Sequence, residues 1–154
     1  MSPDGLDRIA FHVRTNPGTE PGPLMKVASG GELSRFLLAL KVALADRGSA
    51  PTLVFDEIDA GAGGAVAEAI GRRLARLAAR VQVLSVTHAP QVAAHAQAHL
   101  LITKAETEGG ARVLTRVEPV AGRERREEIA RMLAGATISD EARAAAERLM
   151  QGAA

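Results

Sequence analysis

Ser29-Gly30-Gly31-Glu32-Leu33-Ser34-Arg35, followed along the chain by Thr52-Leu53-Val54-Phe55-Asp56-Glu57, is the stretch that decides the fold. Leu33, Phe36, Leu37, Leu40 and Leu44 recur at three- and four-residue spacing, so a helix begins at Ser29 and is expected to end near Gly48 and Pro51. Thr52 to Phe55 is a short apolar strand that ends in paired acids. Small residues at a helix start let backbone amides approach an anion, and acids at a strand's carboxyl end lie where open parallel sheets bind ligands. The combination reads as half of an ATP site. The other half would be a phosphate loop of the form G-x-x-x-x-G-K-[ST], and no segment of the sequence supplies it.

On either side of this stretch, strands and helices alternate. Ile9, Phe11 and Val13 read as a strand with one buried face, and Asn16 to Pro23 as a loop. Asp56 to Gly64 is an acidic, glycine-rich turn. Val66, Ile70, Leu74 and Leu77 then mark a second helix, with Arg72, Arg73, Arg76 and Arg80 on its wetter sides. Val81 to Val86 is apolar enough to be a strand buried on both faces, and it delivers Thr87-His88 at its carboxyl end. A short helix over Ala89 to Gln97 follows, then a strand at Leu100 to Ile102 with a hairpin partner, Arg112 to Val117, across Glu108-Gly109-Gly110. The chain closes with a helix from Arg123 to Leu133, presenting Ile129, Met132 and Leu133, and another capped by Ser139-Asp140 that carries Ala142, Ala146, Leu149 and Met150. Strand, helix, strand, helix, strand implies right-handed crossovers. The expected class is α/β, a mainly parallel sheet flanked by helices with a small C-terminal hairpin and helices.

Composition sets limits. The sequence is 154 residues long and shows no internal repeat, so residues 1–154 are read as one domain. Lys plus Arg total 19 against 18 Asp plus Glu, a net charge of +1, which excludes a strong global field for nucleic acid or anionic membrane. Cysteine is absent, which excludes disulfide scaffolds and thiolate metal sites and suits a reducing cytoplasm. No apolar run approaches the roughly 18 residues a membrane span requires, and the polar start, Met1-Ser2-Pro3-Asp4-Gly5, is no secretory signal, so no membrane is expected. Three phenylalanines, with neither Trp nor Tyr, offer little for stacking single-stranded bases.

Each candidate residue has a plainer reading beside its functional one. Ser29 and Glu32 form an S-x-x-E capping box, yet Gly30-Gly31 in the first turn costs helix propensity of about 1 kcal/mol per glycine, which a cap alone does not explain. Asp56-Glu57 is either a solvated loop or a pair in which one carboxylate holds Mg²⁺ through water and the other polarises a nucleophilic water. Asp59 is a helix cap or part of a turn that contacts a partner. His88 would lie near Asp56 and Glu57 if its strand neighbours Thr52 to Phe55, close to a terminal phosphate. His95 and His99 lack carboxylate or Cys partners at ligand spacing and read as ordinary surface or helix residues, with no zinc site. Arg123-Glu124-Arg125-Arg126-Glu127-Glu128 reads as a solvated helix face.

In this order the motifs resemble the C-terminal half of an ABC-type ATPase head, and specifically the RecN family of the SMC-like group. Lys26 to Arg35 is similar to that family's signature motif, Leu53 to Asp59 to its Walker B and D-loop, and Val86 to Ala93 to its switch-histidine segment; Thr15-Asn16-Pro17-Gly18 and Glu127 to Leu133 extend the likeness over nearly the whole chain. The resemblance implies a partial P-loop NTPase fold and a cycle in which two heads sandwich ATP. Ser29, Gly30 and Gly31 would touch the γ-phosphate held by the opposite head. Asp56 would organise Mg²⁺, Glu57 would act as base on water, Asp59 would cross the dimer interface and His88 would sense the γ-phosphate. It further implies a bacterial, cytoplasmic, nucleoid-associated protein that acts with DNA in double-strand break repair. The family's Walker A segment and coiled coil have no counterpart here, so ATPase activity would require an N-terminal Walker A half, and a shortened gene or a fragment is implied, with apolar sheet surface left uncovered. Two alternatives stand beside this: a non-catalytic interaction module that pairs with a full-length head, and a transporter-type nucleotide-binding fragment, from which Glu32-Leu33-Ser34-Arg35 departs.

Overall fold

The computed structural model describes residues 5, 9–14, 16–44, 50–106 and 113–153. Its centre is a parallel pair. Strand β3 (Thr52–Asp56) lies beside β4 (Gln82–Val86) in the register Leu53↔Val83 to Asp56↔Val86, and helix α3 (Gly64–Ala78) crosses between them. A parallel pair needs such a crossover, and α3 supplies it while burying Ala67, Ile70, Gly71, Leu74 and Leu77. Val66, expected on that face, is 43% exposed, and the four arginines are on the exposed side as expected.

Helix α2 (Gly30–Ala43) starts where Ser29 caps it and ends earlier than its apolar spacing implies; Gly48 lies outside the described residues. Its core contact is Leu38, buried at 1%, with Val42 packed alongside, whereas Leu37 and Leu44 are each 47% exposed. Spacing reveals that an apolar stripe exists, but which edge of it becomes core depends on the surface laid against it. Here that surface is formed by Ile58, α3 and the inner side of β3 and β4, represented by Leu53, Phe55 and Val83.

The outer side of the same pair is bare. Val54, Leu84 and Val86 are 68%, 46% and 49% exposed, so the expected two-sided burial of β4 does not hold, while the expected uncovered apolar sheet surface does. A strand's apolarity reports how many faces can be buried, and the helices against this pair cluster with one face only.

The expected hairpin of the Leu100 to Ile102 strand forms, but that strand does not also extend the parallel run. β5 (His99–Glu106) pairs antiparallel with β6 (Val113–Val120), from His99↔Val120 to Glu106↔Val113, and joins neither β3 nor β4. The turn expected at Glu108-Gly109-Gly110, like Arg112, lies outside the described residues. Among the described residues the parallel component is therefore two strands, beside two antiparallel pairs.

Upstream, the alternation of Ile9, Phe11 and Val13 shrinks to β1 (His12–Val13), paired antiparallel with β2 (Gly22–Pro23), which falls inside the expected loop; a short helix α1 (Leu24–Val27) follows. Ile9 is 91% exposed, and Phe11 instead meets Phe36 of α2 edge-on, centroids 5.5 Å apart. Thr15 lies outside the described residues.

Helices α4 (Pro90–Ala94), α5 (Gly122–Ala134) and α6 (Asp140–Gly152) make a second core around Ala94, Ile129, Ala130 and Ala146. Alanines allow close helix approach, which is why this core needs few large side chains. Ser139 caps α6 through the Ala142 N–H, as read from the sequence. Leu133 is 37% exposed rather than core.

Candidate functional site

The start of α2 is built by reciprocal capping. Ser29 is extended; the Glu32 N–H donates to its Oγ at 3.4 Å, and the Ser29 N–H donates to Glu32 Oε2 at 2.7 Å. These bonds, the backbone one first, hold the Glu32 carboxyl below the usual carboxylate range. The capping reading of Ser29 and Glu32 is thus correct as far as it goes.

The two glycines differ. A Cβ on Gly31 would lie 3.0 Å from Arg35 Nη1 and 3.2 Å from the Ala60 carbonyl oxygen, so Gly31 is bare because the turn after β3 packs on it. A Cβ on Gly30 would meet nothing within 4 Å. Nothing among the described residues requires Gly30, and its open side belongs to the helix N-terminus, where free N–H groups and the positive dipole end favour an anion.

Asp56 ends β3, and the Glu57 N–H extends the ladder by donating to the Val86 carbonyl at 3.1 Å. β4 is the strand neighbour of β3, the condition under which His88 comes near the acids. Asp56, Glu57 and His88 therefore share one edge of the parallel pair, and all three are exposed. Glu57 is left-handed, at φ 46, a conformation that costs a non-glycine residue about 1–2 kcal/mol. Its carbonyl accepts the Ala60 N–H at 2.9 Å, closing the tight turn that holds it.

Asp59 does not cap α3, whose N-cap is Gly63. It is 3% exposed, and its Oδ2 accepts the Thr87 hydroxyl at 2.7 Å and the Ala89 N–H at 3.2 Å. Thr87 was missed in the sequence; its only signal is that it directly precedes His88.

Two sequence expectations fail here. His95 is a buried side chain, 5% exposed, with Nε2 2.8 Å from Glu68 Oε1; its partner lies far away in sequence, on α3, so local spacing misses it. His99 is half-buried, its Nδ1 enclosed without a partner among the described residues, and burial, assisted by Arg125, pushes its imidazole down. The Arg123 to Glu128 run is not simply solvated. Arg125 Nη2 donates to the carbonyls of Ala93, Ala94 and Ala96 at 3.1, 3.0 and 2.6 Å, Glu127 receives Arg143 through both oxygens at 3.0 Å, and buried Glu128 accepts Arg131 Nε at 2.8 Å.

Among the described residues no group of three or more His, Asp or Glu is arranged to hold a metal. Asp56 offers a single exposed carboxylate, which fits a cation such as Mg²⁺ that keeps most of its waters and takes remaining ligands from phosphate oxygens. No helix among the described residues is long and apolar enough to cross a membrane.

No protein-family model matches the chain. Over 97% of its length it is 48% identical to the DNA repair protein RecN of Xylella fastidiosa (strain 9a5c) and 49% identical to that of Mycobacterium leprae (strain TN), covering 26% and 25% of those proteins. Against RecN of Rickettsia conorii the identity is 47% over 96% of this chain and 27% of the relative. A solved structure from work on ATP-driven dimerization and DNA-stimulated activation of SMC ATPases superposes with a TM-score of 0.52 and 19% identity, over 83% of each chain. That likeness shows the fold alone, an α/β arrangement shared with that structure. Over nearly its whole length the chain is similar in sequence to RecN proteins, and it spans about a quarter of the length of the curated relatives it matches.

Proposed function

We propose that this chain is the signature-bearing half of the ATP-binding head of a RecN-type protein that acts in recombinational repair of DNA double-strand breaks. The observation that carries the reading is the parallel pairing of β3 with β4, which sets Asp56, Glu57 and His88 on one edge. Bound Mg²⁺ and ATP supply an electrophilic terminal phosphorus with its charge neutralised. Asp56 would hold the cation through water. Glu57 would take a proton from water at its carboxylate, and His88 would donate a ring N–H to the terminal phosphate. Ser29, Gly30 and Gly31 would present the α2 N-terminus to a nucleotide held by a second head, with Asp59 at the turn beside that interface.

The chain would work with a segment that brings the phosphate loop, and with DNA in the complete, cytoplasmic and nucleoid-associated protein. Support for a packed partner comes from the bare Val54, Leu84 and Val86 face and from a cavity of about 350 Å³ beside β4, lined in part by Ser85, whose buried hydroxyl has no partner among the described residues.

The test is ATP hydrolysis by the chain alone and mixed with a separately expressed segment carrying the phosphate loop. Turnover only in the mixture, lost in Glu57→Gln, is the expected result. A folded complex that turns over nothing would instead identify a non-catalytic interaction module.

A further inference from the structure

Asp59 joins the two turns that carry the candidate catalytic residues. Its Oδ2 takes the Thr87 hydroxyl and the Ala89 N–H, and that N–H is shared with Thr87 Oγ1 at 3.0 Å, so the residues on both sides of His88 are tied to one carboxylate. In the turn after β3, Asp59 comes two residues after left-handed Glu57 and opens the tight turn in which the Ala62 N–H donates to the Asp59 carbonyl at 2.9 Å. The Ala60 carbonyl of that turn packs against Gly31 at the start of α2.

A packing role does not explain this residue. Burying a carboxylate is unfavourable unless it is well bonded, and here Oδ1 is enclosed with no partner among the described residues. An apolar side chain would fill the place at less cost, as fully buried Ile58 does next to it. Capping does not explain it either, since Gly63 caps α3.

We infer that Asp59 is a positioning residue: through Thr87 and Ala89 it holds His88 in fixed register with Glu57, and through Ala60 it links both to the start of α2. This rests on the reading of the site as an ATP half-site. Whatever seats on the α2 N-terminus thereby bears on the hydrolytic edge within the same chain, without a side chain crossing between heads. The carboxylate itself touches no substrate.

Thr87→Val removes the hydroxyl at nearly constant volume, and Thr87→Ser keeps it. In the chain alone, NMR should show Thr87→Val moving the His88 ring resonances, assigned by their loss in His88→Gln. The same variant should speed exchange of the Ala89 amide about ten-fold, the scale of one net hydrogen bond. Thr87→Ser should leave both near wild type. In the head reconstituted with the phosphate-loop segment, Thr87→Val should lower kcat about ten-fold with little change in KM, and Thr87→Ser should restore it, a pattern that general loosening would not produce. If Thr87→Val does not melt cooperatively, Thr87→Ala removes the same hydroxyl without setting a methyl against the carboxylate. Unmoved His88 resonances and unchanged Ala89 exchange in a folded variant would overturn the inference, as would wild-type kcat in an active head. A reconstituted wild-type head with no turnover would count against the ATP-site reading alone, and the resonances and exchange would still decide the tie.

Discussion

His95 Nε2 lies 2.8 Å from Glu68 Oε1, joining α4 to α3 through an imidazole that is 5% exposed. The helices approach this closely because Gly71 has no side chain: a Cβ there would sit 2.6 Å from His95 Cδ2 and 3.0 Å from the Gln91 carbonyl oxygen. Gly71→Ala should therefore destabilise the chain by about 1–3 kcal/mol, even though alanine has the higher helix propensity. Thermal melting checks this, and a rise in Tm would contradict the packing described.

Arg125 donates to the carbonyls of Ala93 and Ala94 at the end of α4 and of Ala96 just beyond it. Arg125→Met keeps much of the apolar stem and removes the guanidinium. Losing a charged donor to three carbonyls should cost about 1.5–3 kcal/mol in urea unfolding. Because Arg125 also helps to push the His99 imidazole down, the same variant should raise the His99 titration midpoint, readable by NMR.

The Ser29–Glu32 capping box should make α2 pH-sensitive. Glu32 titrates below its ordinary value when folded, so its contribution is present above the unfolded value and is lost as pH falls through the lowered folded value. Circular dichroism should show helix loss in that acidic window, and Glu32→Gln should flatten that part of the profile. Ser29→Ala should cost about 0.5–2 kcal/mol at neutral pH.

Gly30 and Gly31 should separate stability from function. Gly31→Ala pushes a methyl toward the Ala60 carbonyl and Arg35, and should lower Tm. Gly30→Ala meets open space in a helical position and should be neutral or stabilising by about 0.4–1 kcal/mol. In the reconstituted head, however, Gly30→Ala should reduce ATP turnover, because the added methyl occupies the side from which phosphate would approach. Full turnover with a raised Tm would remove Gly30 from the proposed site.

The bare sheet face should make the isolated chain adhesive. Val54→Thr with Val86→Thr lowers apolarity on an exposed side while keeping β-branched shape. Light scattering should show less self-association than wild type, and binding of the phosphate-loop segment should weaken in parallel if that face is where it packs.

What could be read from the chain without coordinates was local. The Ser29 cap, the strand over Thr52 to Phe55, the second helix through Ile70, Leu74 and Leu77, and the Ser139 cap depend on residues within one or two turns of each other, so pattern suffices. Asp56, Glu57 and His88 were legible as candidates for the same reason, each standing at the end of an apolar run. Packing across distant segments decided everything else. It chose Leu38 over Leu37 as core, left one face of β4 bare, kept β5 off the parallel pair, buried His95 against Glu68, and drew Asp59 to Thr87. Backbone patterns follow from the energetics of neighbouring residues, whereas burial and side-chain pairing depend on which surfaces meet, and that is a property of the folded chain alone.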